Sequence, residues 1–539
     1  MSWRYPIAVA LAALACGAVA NAQDIAPSIT RHTLQLEDGK RDYTATAGLM
    51  PIHGTDDAII GDMFYVAYTL PPRSGETRPI AFIWNGGSGA NSTPLHYGAF
   101  GPKRIADGAM KPNPATLLDI ADIVFIDQIE TGFGRYAPGV DAKPHLNQRA
   151  DARTFADFIE TWLKDHGGTE RPTFLIGESY GVRRAQLVTE DLLKLGISPE
   201  ALVLISGYSL VGKQLEAATE GAFRLPGYAA LALLRGDVKS SDWRSEEEIH
   251  EAAIAMAHRL SGKIEKADAS ARRDFAEGAK RFLGASSLQL VDPVSPLTLQ
   301  ETARLLADLS QRHATLVFTD IWNPIAYDMR NWKSDGREWI SQIIVDDLRN
   351  SLGFDPPSRV YIGQEYDHET SQLSSALTQQ SMKVQRADGT IAELSRKTLS
   401  QFPELYGALA RLNALTGLPA PAARPDDGLA ASIVNFDVHF PAALWLRDSP
   451  MPELMKAAPE MNLFIAGGMY DDLLPCAVGA EMARRDLMKS PDRVRSKCYA
   501  GGHMMYDEES QAVLLSDDVR AFMRAILQGD PARDAAVTP

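Results

Sequence analysis

No long run of Lys or Arg occurs anywhere in the 539 residues, and acidic side chains outnumber basic ones by 69 to 54, for a formal net charge of -15. Without a basic footprint the chain has no grip on a phosphate backbone or an anionic bilayer, which excludes nucleic acid and membrane surfaces as partners. The 11 His residues are scattered without ligand spacing, so neither a metal site nor a cofactor is expected. Beyond residues 1–22 no stretch is long and apolar enough to span a bilayer, and no internal repeat is present. Cysteine is scarce: Cys16, Cys476 and Cys498 are the whole complement.

What remains is an ordinary globular composition, 45% apolar and 23% charged, in a chain long enough to bury a large core. Residues 1–22 read as an export signal. Arg4 supplies the positive start, Ile7 to Val19 is apolar, and Ala20-Asn21-Ala22 suits cleavage, so the mature chain would begin near Gln23 in the periplasm or outside the cell. A membrane anchor needs about 20 apolar residues, more than this run offers. Lipid attachment at Cys16 would want a bulky aliphatic where Ala13 stands. Cleavage leaves Cys476 and Cys498 as a candidate bridge in a compartment where disulfides persist; spacing alone does not separate a bridge from two buried thiols.

After the signal, His32 to Leu36 and Tyr43 to Thr46 alternate polar and apolar around Asp38-Gly39, the pattern of an antiparallel hairpin. Short apolar runs follow, each ending in a polar or Gly-rich loop: Ile80 to Trp84, Ile123 to Asp127, Thr173 to Ile176, Leu202 to Ile205 and Asn462 to Ala466. They read as strands buried on both faces. Helical patterns lie between them, over Thr154 to Lys164 and after Ser179 as far as Gly196, and strand alternating with helix predicts a mostly parallel sheet flanked by helices, an α/β fold. Residues 211–430 change to long, charged, mainly helical segments and read as a cap inserted between a first core part at 23–210 and a second at 431–528; residues 529–539 read as a disordered tail.

Gly177-Glu178-Ser179-Tyr180-Gly181 matches GxSxG, the strand-turn-helix elbow that thrusts a nucleophilic Ser out of an α/β-hydrolase sheet, and it stands here between a predicted strand and an amphipathic helix. A Ser hydroxyl needs a base, and that base needs an acid to hold its tautomer. In this fold acid and then His follow the Ser. His503, in the small-residue loop Ala500 to Met505 after Ser496 to Tyr499, has a strand-end acid ahead of it; His439, beside Phe440 and Pro441, reads as a packed residue. The acid is Asp471 or Asp472, after Asn462 to Ala466. Tyr180 would supply one oxyanion N–H, and the loop Trp84 to Gly89 the other, through Gly87. A phosphate cradle is disfavoured there because no Lys follows the glycines.

The run FIWNGGSGANSTPLHYGAFGPKRI, from Phe82 to Ile105, resembles the WNGGPG and GP elements of the serine carboxypeptidases, and ADIVFIDQIETGFGRY, residues 121–136, resembles their LDQPxGTGFS segment. GESYG, GMYDD and AGGHMM then match that family's three triad segments in order. The resemblance covers roughly residues 30–210 and 430–525. It implies Ser179 as nucleophile, Asp471 as acid and His503 as base, with Gly87 and Tyr180 in the oxyanion hole. It further implies that Asn85, Gly86 and Glu178 read the C-terminal carboxylate of a peptide substrate. Glu178 would be protonated when it binds, because two carboxylates at hydrogen-bond distance do not both stay ionised cheaply, and activity would favour acidic pH. Ala90 and Ala99 stand where eukaryotic members carry a Cys and a Glu, and Ser88 and Gly134 replace a Pro and a Ser. Loss of the Glu at 99 removes an expected partner of Glu178. LHxGxFGP and a His-Met-Met-Tyr run place the resemblance nearer the bacterial branch.

Three activities compete. A serine carboxypeptidase would release a terminal amino acid through an acyl-enzyme; an esterase or acyltransferase would use the same triad; a silent binding protein would use only the cleft. Asn85 and Glu178 favour the first over the second, and the intact triad disfavours the third. The preferred side chain, the physiological peptide and the oligomeric state are not written in the sequence.

Overall fold

The structure is a computed structural model that describes residues 25–36, 39–54, 57–73, 77–86, 90–145, 147–207, 215, 217–236, 238–239, 241–264, 266, 269–283, 330, 338–356, 359, 361, 381–385, 391–395, 449–471, 475–487 and 491–529. The export signal, Asp38, His439 and the tail beyond Gly529 lie outside them, as does most of the expected cap at 211–430.

The chain opens with β1 (Ser28–Leu36), β2 (Gly39–His53) and β3 (Ile59–Thr69), followed by β4 (Ile80–Trp84), β5 (Lys103–Ala106), β6 (Ala109–Pro112), β7 (Asp122–Ile126) and β8 (Arg135–Tyr136). Then come α1 (Gln148–Asp165), β9 (Thr173–Glu178), α2 (Tyr180–Lys194) and β10 (Ala201–Ile205). The region expected as a cap contributes α3 (Ala217–Arg235), α4 (Glu246–Ile264), α5 (Ala269–Leu283), α6 (Glu338–Asn350) and a hairpin of β11 (Ser381–Gln385) and β12 (Ile391–Ser395). The core resumes with α7 (Met451–Ala457), β13 (Asn462–Gly468), α8 (Cys476–Leu487), β14 (Val494–Tyr499) and α9 (Glu509–Leu527).

One sheet organises these elements, in the order β1-β2-β3-β7-β4-β9-β10-β13-β14, with β8 on β3. The first three strands run antiparallel, and β3 meets β7 antiparallel; from β7 to β14 every neighbour is parallel. An antiparallel start, then parallel strands with β7 crossing back between β3 and β4, is the α/β-hydrolase arrangement.

Side chains explain why both faces are covered. In β4, Ile80, Phe82 and Trp84 join one core with Phe155 and Ile159 of α1 and Val188 of α2, while Ala81 and Ile83 join the opposite core with Val519 and Phe522 of α9. Successive side chains of a strand point to opposite faces, so a five-residue run with no polar member is buried only between two layers. The β1 strand alternates between half-buried and exposed positions, as an edge strand does. Local signals set the helix ends: Asn147 caps α1 by accepting the Ala150 N–H at 3.0 Å, and Gly196, at φ 78°, ends the turn after α2. Helices α3, α4 and α5 form a third apolar cluster with Met469, Tyr470 and Met482, which seats them over the loop after β13.

Candidate active site

The carboxyl ends of the parallel strands are where an open α/β sheet gathers its functional side chains. There β9 ends at Glu178 and α2 begins at Tyr180, leaving Ser179 alone in the turn at φ 54°, a left-handed conformation that a residue with a Cβ seldom holds. The Ser179 N–H donates to the Ile205 carbonyl at 2.8 Å, and the Trp84 indole N–H donates to the Gly181 carbonyl at 3.0 Å. A Cβ on Gly177 would strike the Gly181 carbonyl, and one on Gly181 would sit 2.9 Å from Trp84 Cδ1. The motif's glycines are therefore steric requirements of the turn.

The residues expected as acid and base arrive on the last two strands. Asp471 follows β13 and His503 follows β14, which pair in parallel with Gly468 opposite Tyr499. Both side chains are buried, and His503 Nδ1 lies 2.8 Å from Asp471 Oδ2. The loops pack too closely for a side chain at Gly468, whose Cβ would collide with the Gly501 and Gly502 carbonyls. Ser206, held at φ 47° past the end of β10, donates its hydroxyl to the His503 carbonyl at 2.6 Å. Since Ile205 holds the Ser179 N–H, two adjacent residues anchor the elbow and the His503 loop side by side. Ser206 is absent from the sequence reading; its one signal was its place at the end of the strand beside β9.

Cys476 and Cys498 form a disulfide between the first residue of α8 and β14, so the bridge stands between Asp471 and His503 in the chain. His250 of α4 approaches it, Nε2 to Cys476 Sγ 3.8 Å, and burial drives this imidazole down to about 4. Among the described residues these three are the one His, Cys or acid group compact enough to hold a metal, and its sulfurs are engaged with each other.

Asn85 and Glu178 meet at the ends of β4 and β9. The Asn85 Oδ1 accepts the Leu95 N–H at 2.9 Å, from the first residue of a π-helical turn over Leu95–Phe100. That bond turns the amide so that Nδ2 donates to Glu178 Oε2. The same oxygen accepts the Tyr506 hydroxyl at 2.7 Å. Burial first, and the Glu178 charge next, hold Tyr506 well above the usual phenol range, so it keeps the proton it donates. Tyr506 thus partners Glu178, while Ala99, which has no polar side chain to offer it, is buried. Its 328-residue separation from Glu178 hid it from sequence reasoning, although it lies in the run that includes His503.

Gly86 rests directly on the elbow: a Cβ there would lie 2.5 Å from the Tyr180 N and 2.6 Å from Ser179 Cβ. Under the same loop, Asp127 accepts the Ser92 N–H at 2.7 Å, and burial lifts its carboxyl to about 7. Gly87, expected as the second oxyanion donor, and Asp472, the alternative acid, fall outside the described residues. No helix among the described residues is long and apolar enough to cross a membrane.

The serine carboxypeptidase family model matches residues 38–190, the segment that carries the Asn85-Gly86 loop and the Ser179 elbow. The chain resembles the serine carboxypeptidases. The match supports a hydrolase role, and it reaches the first core part only. Comparison with curated proteins finds no match. Among solved structures, a prohormone-processing carboxypeptidase from Saccharomyces cerevisiae is similar at 15% identity and a TM-score of 0.45, covering 89% of this chain and 91% of that one. A rice cell wall degrading esterase from Xanthomonas oryzae is similar at 12% identity and a TM-score of 0.35, over 93% of this chain and 98% of that one. A putative aryl esterase from Burkholderia cenocepacia follows at 13% identity and 0.31, over 93% and 100%. With TM-scores below 0.5, none of the three bears on function.

Proposed function

We propose that this serine carboxypeptidase relative is an exported exopeptidase that removes the C-terminal residue of peptides through an acyl-enzyme. The observation that carries the reading is the pairing of His503 Nδ1 with buried Asp471 at 2.8 Å, on loops that Ile205 and Ser206 tie to the Ser179 elbow. Ser179 attacks the last peptide carbonyl while His503 Nε2 takes its proton; Asp471 keeps the Nδ1 proton in place and stabilises the imidazolium. The carbonyl oxygen becomes an oxyanion that the Tyr180 N–H, joined by that of Gly87, receives. His503 then returns the proton to the leaving amine, the terminal amino acid departs, and water admitted by the same base hydrolyses the ester.

Contact between Asn85 and Glu178 beside the elbow supports a substrate carrying a free carboxylate. An amide donor, the Gly86 N–H and a protonated Glu178 suit that anion, whereas an ionised Glu178 repels it, so catalysis favours acidic pH. The signal-like composition of residues 1–22 supports export, with the mature chain beginning near Gln23.

The test is release of the terminal amino acid from an N-blocked dipeptide and from its C-terminal amide, with Ser179→Ala alongside. Turnover of the free acid well above the amide, and a loss of about a millionfold in the variant, is expected. Hydrolysis of a simple ester through Ser179, with both peptides untouched, would instead make the protein an esterase.

A further inference from the structure

Behind the elbow lies a buried charge that the proposed chemistry does not use. Arg184, one helical turn past Tyr180 on α2, is 1% exposed. Its Nε donates to Asp151 Oδ2 at 2.8 Å, and its Nη2 to Asp151 Oδ1 at 3.3 Å and to Gln128 Oε1 at 2.8 Å. The remaining arm, Nη1, donates to the backbone carbonyl of Asn85 at 2.9 Å. Its guanidinium lies over the rings of Phe155, 4.4 Å to the centroid, and Tyr180, 5.0 Å, and the Tyr180 hydroxyl donates to Asp151 Oδ2 at 2.8 Å. A buried ion pair is weak as a source of stability, since apolar side chains of like volume do as well. What the fork does here is join the Asn85 loop, the Gln128 loop, α1 and the elbow helix through one rigid group.

The bond to the Asn85 carbonyl has a geometric consequence. A trans peptide unit is planar, with its C=O and N–H pointing opposite ways, so holding the oxygen of residue 85 sets the direction of the N–H of residue 86. Position 86 has to be Gly, because a Cβ would lie 2.5 Å from the Tyr180 N. Glycine, however, leaves the backbone free to rotate. The closeness of the loop thus demands the one residue that would let this peptide plane turn, and Arg184 removes that freedom.

We infer that Arg184 is a positioning residue that locks the Asn85–Gly86 peptide plane, aiming the Gly86 N–H at the carboxylate of a peptide substrate. This rests on the carboxypeptidase reading. The experiment compares kcat/KM for an N-blocked dipeptide and for its C-terminal amide in the native enzyme, in Arg184→Lys, which keeps the charge but loses the fork, and in Gln128→Ala, which removes one anchor of the fork without uncovering the charge. Loss of one aimed, charge-assisted contact corresponds to roughly tenfold or more, so the acid-over-amide ratio should fall about tenfold in Arg184→Lys and by less, in the same direction, in Gln128→Ala. A merely structural role would lower both substrates together and leave the ratio where it was, which would overturn the inference. Where Arg184→Lys fails to fold, the ratio in Gln128→Ala decides. A native ratio near one would instead defeat the carboxypeptidase reading itself, before any variant is made.

Discussion

Gly86→Ala should cost activity far out of proportion to its size. The added methyl would stand 2.5 Å from the Tyr180 N and 2.6 Å from Ser179 Cβ, where ordinary contact begins at 3.4 Å. The shortfalls, 3.4 minus 2.5 and 3.4 minus 2.6, are about 0.9 and 0.8 Å, and both lie against the groups proposed to attack the substrate and receive its oxyanion. The elbow has little room to yield, being pinned by Ser179 N–H to Ile205, by Trp84 to Gly181 and by the Tyr180 hydroxyl to Asp151. The loop must retreat instead, by close to 1 Å, and carry the Gly86 N–H and the Asn85 amide with it. A displacement of that size in an active site is worth on the order of a hundredfold in rate. Overpacking costs about 1–3 kcal/mol of stability, which a domain of ordinary stability survives. The assay is kcat/KM for release of the terminal amino acid, with thermal unfolding of the same preparation. A folded Gly86→Ala protein within about threefold of the native rate would refute the steric reasoning.

Four further outcomes are expected. Asp471→Asn should fold normally yet lose about ten-thousandfold in kcat, because an amide facing Nδ1 favours the wrong tautomer of His503; a loss under tenfold in ester hydrolysis would place the acid elsewhere. Tyr506→Phe removes a hydroxyl donated to Glu178 and with it support for the ionised carboxylate, so the pH above which KM for a free-acid peptide climbs should move upward, as read from KM between pH 4 and 8; a downward move would contradict the assignment. Replacing Cys476 and Cys498 by Ser opens a bridge across 22 residues, a loss of about 3 kcal/mol by loop entropy, and should lower both the unfolding midpoint and kcat, since the bridge stands between Asp471 and His503 in the chain; an unchanged midpoint on denaturant unfolding would mean that it is idle. Asp127, lifted to about 7 mainly by burial, holds a proton in the folded state that an unfolded Asp has released above its ordinary value near 4, so it makes stability fall as pH rises from about 4 to 7. Asp127→Asn should remove that slope, and parallel melting curves of both proteins at pH 5 and pH 8 would argue against it.

Local demands were legible in the sequence. A turn that throws a Ser out between strand and helix needs Gly at both flanks, and five contiguous residues, Gly177 to Gly181, state it. Strands buried on both faces are almost wholly apolar, so Ile80 to Trp84 and, after Asn462, Leu463 to Ala466 could be read without a structure, and the order of strand ends brought Asp471 and His503 into consideration. Partnerships set by sheet order could not be read, because spacing along the chain carries no record of them. Tyr506 reaches Glu178 across 328 residues, Ser206 reaches His503 across 297, and Arg184 reaches the Asn85 carbonyl across 99. The same holds for the cysteines, whose spacing suits a bridge and a pair of thiols equally until α8 packs against β14 and brings their Cα atoms to 5.8 Å. Sequence alone determined which residues have the chemistry; the crossing of β7 between β3 and β4, and the parallel register of β9, β10, β13 and β14, decided which of them face one another.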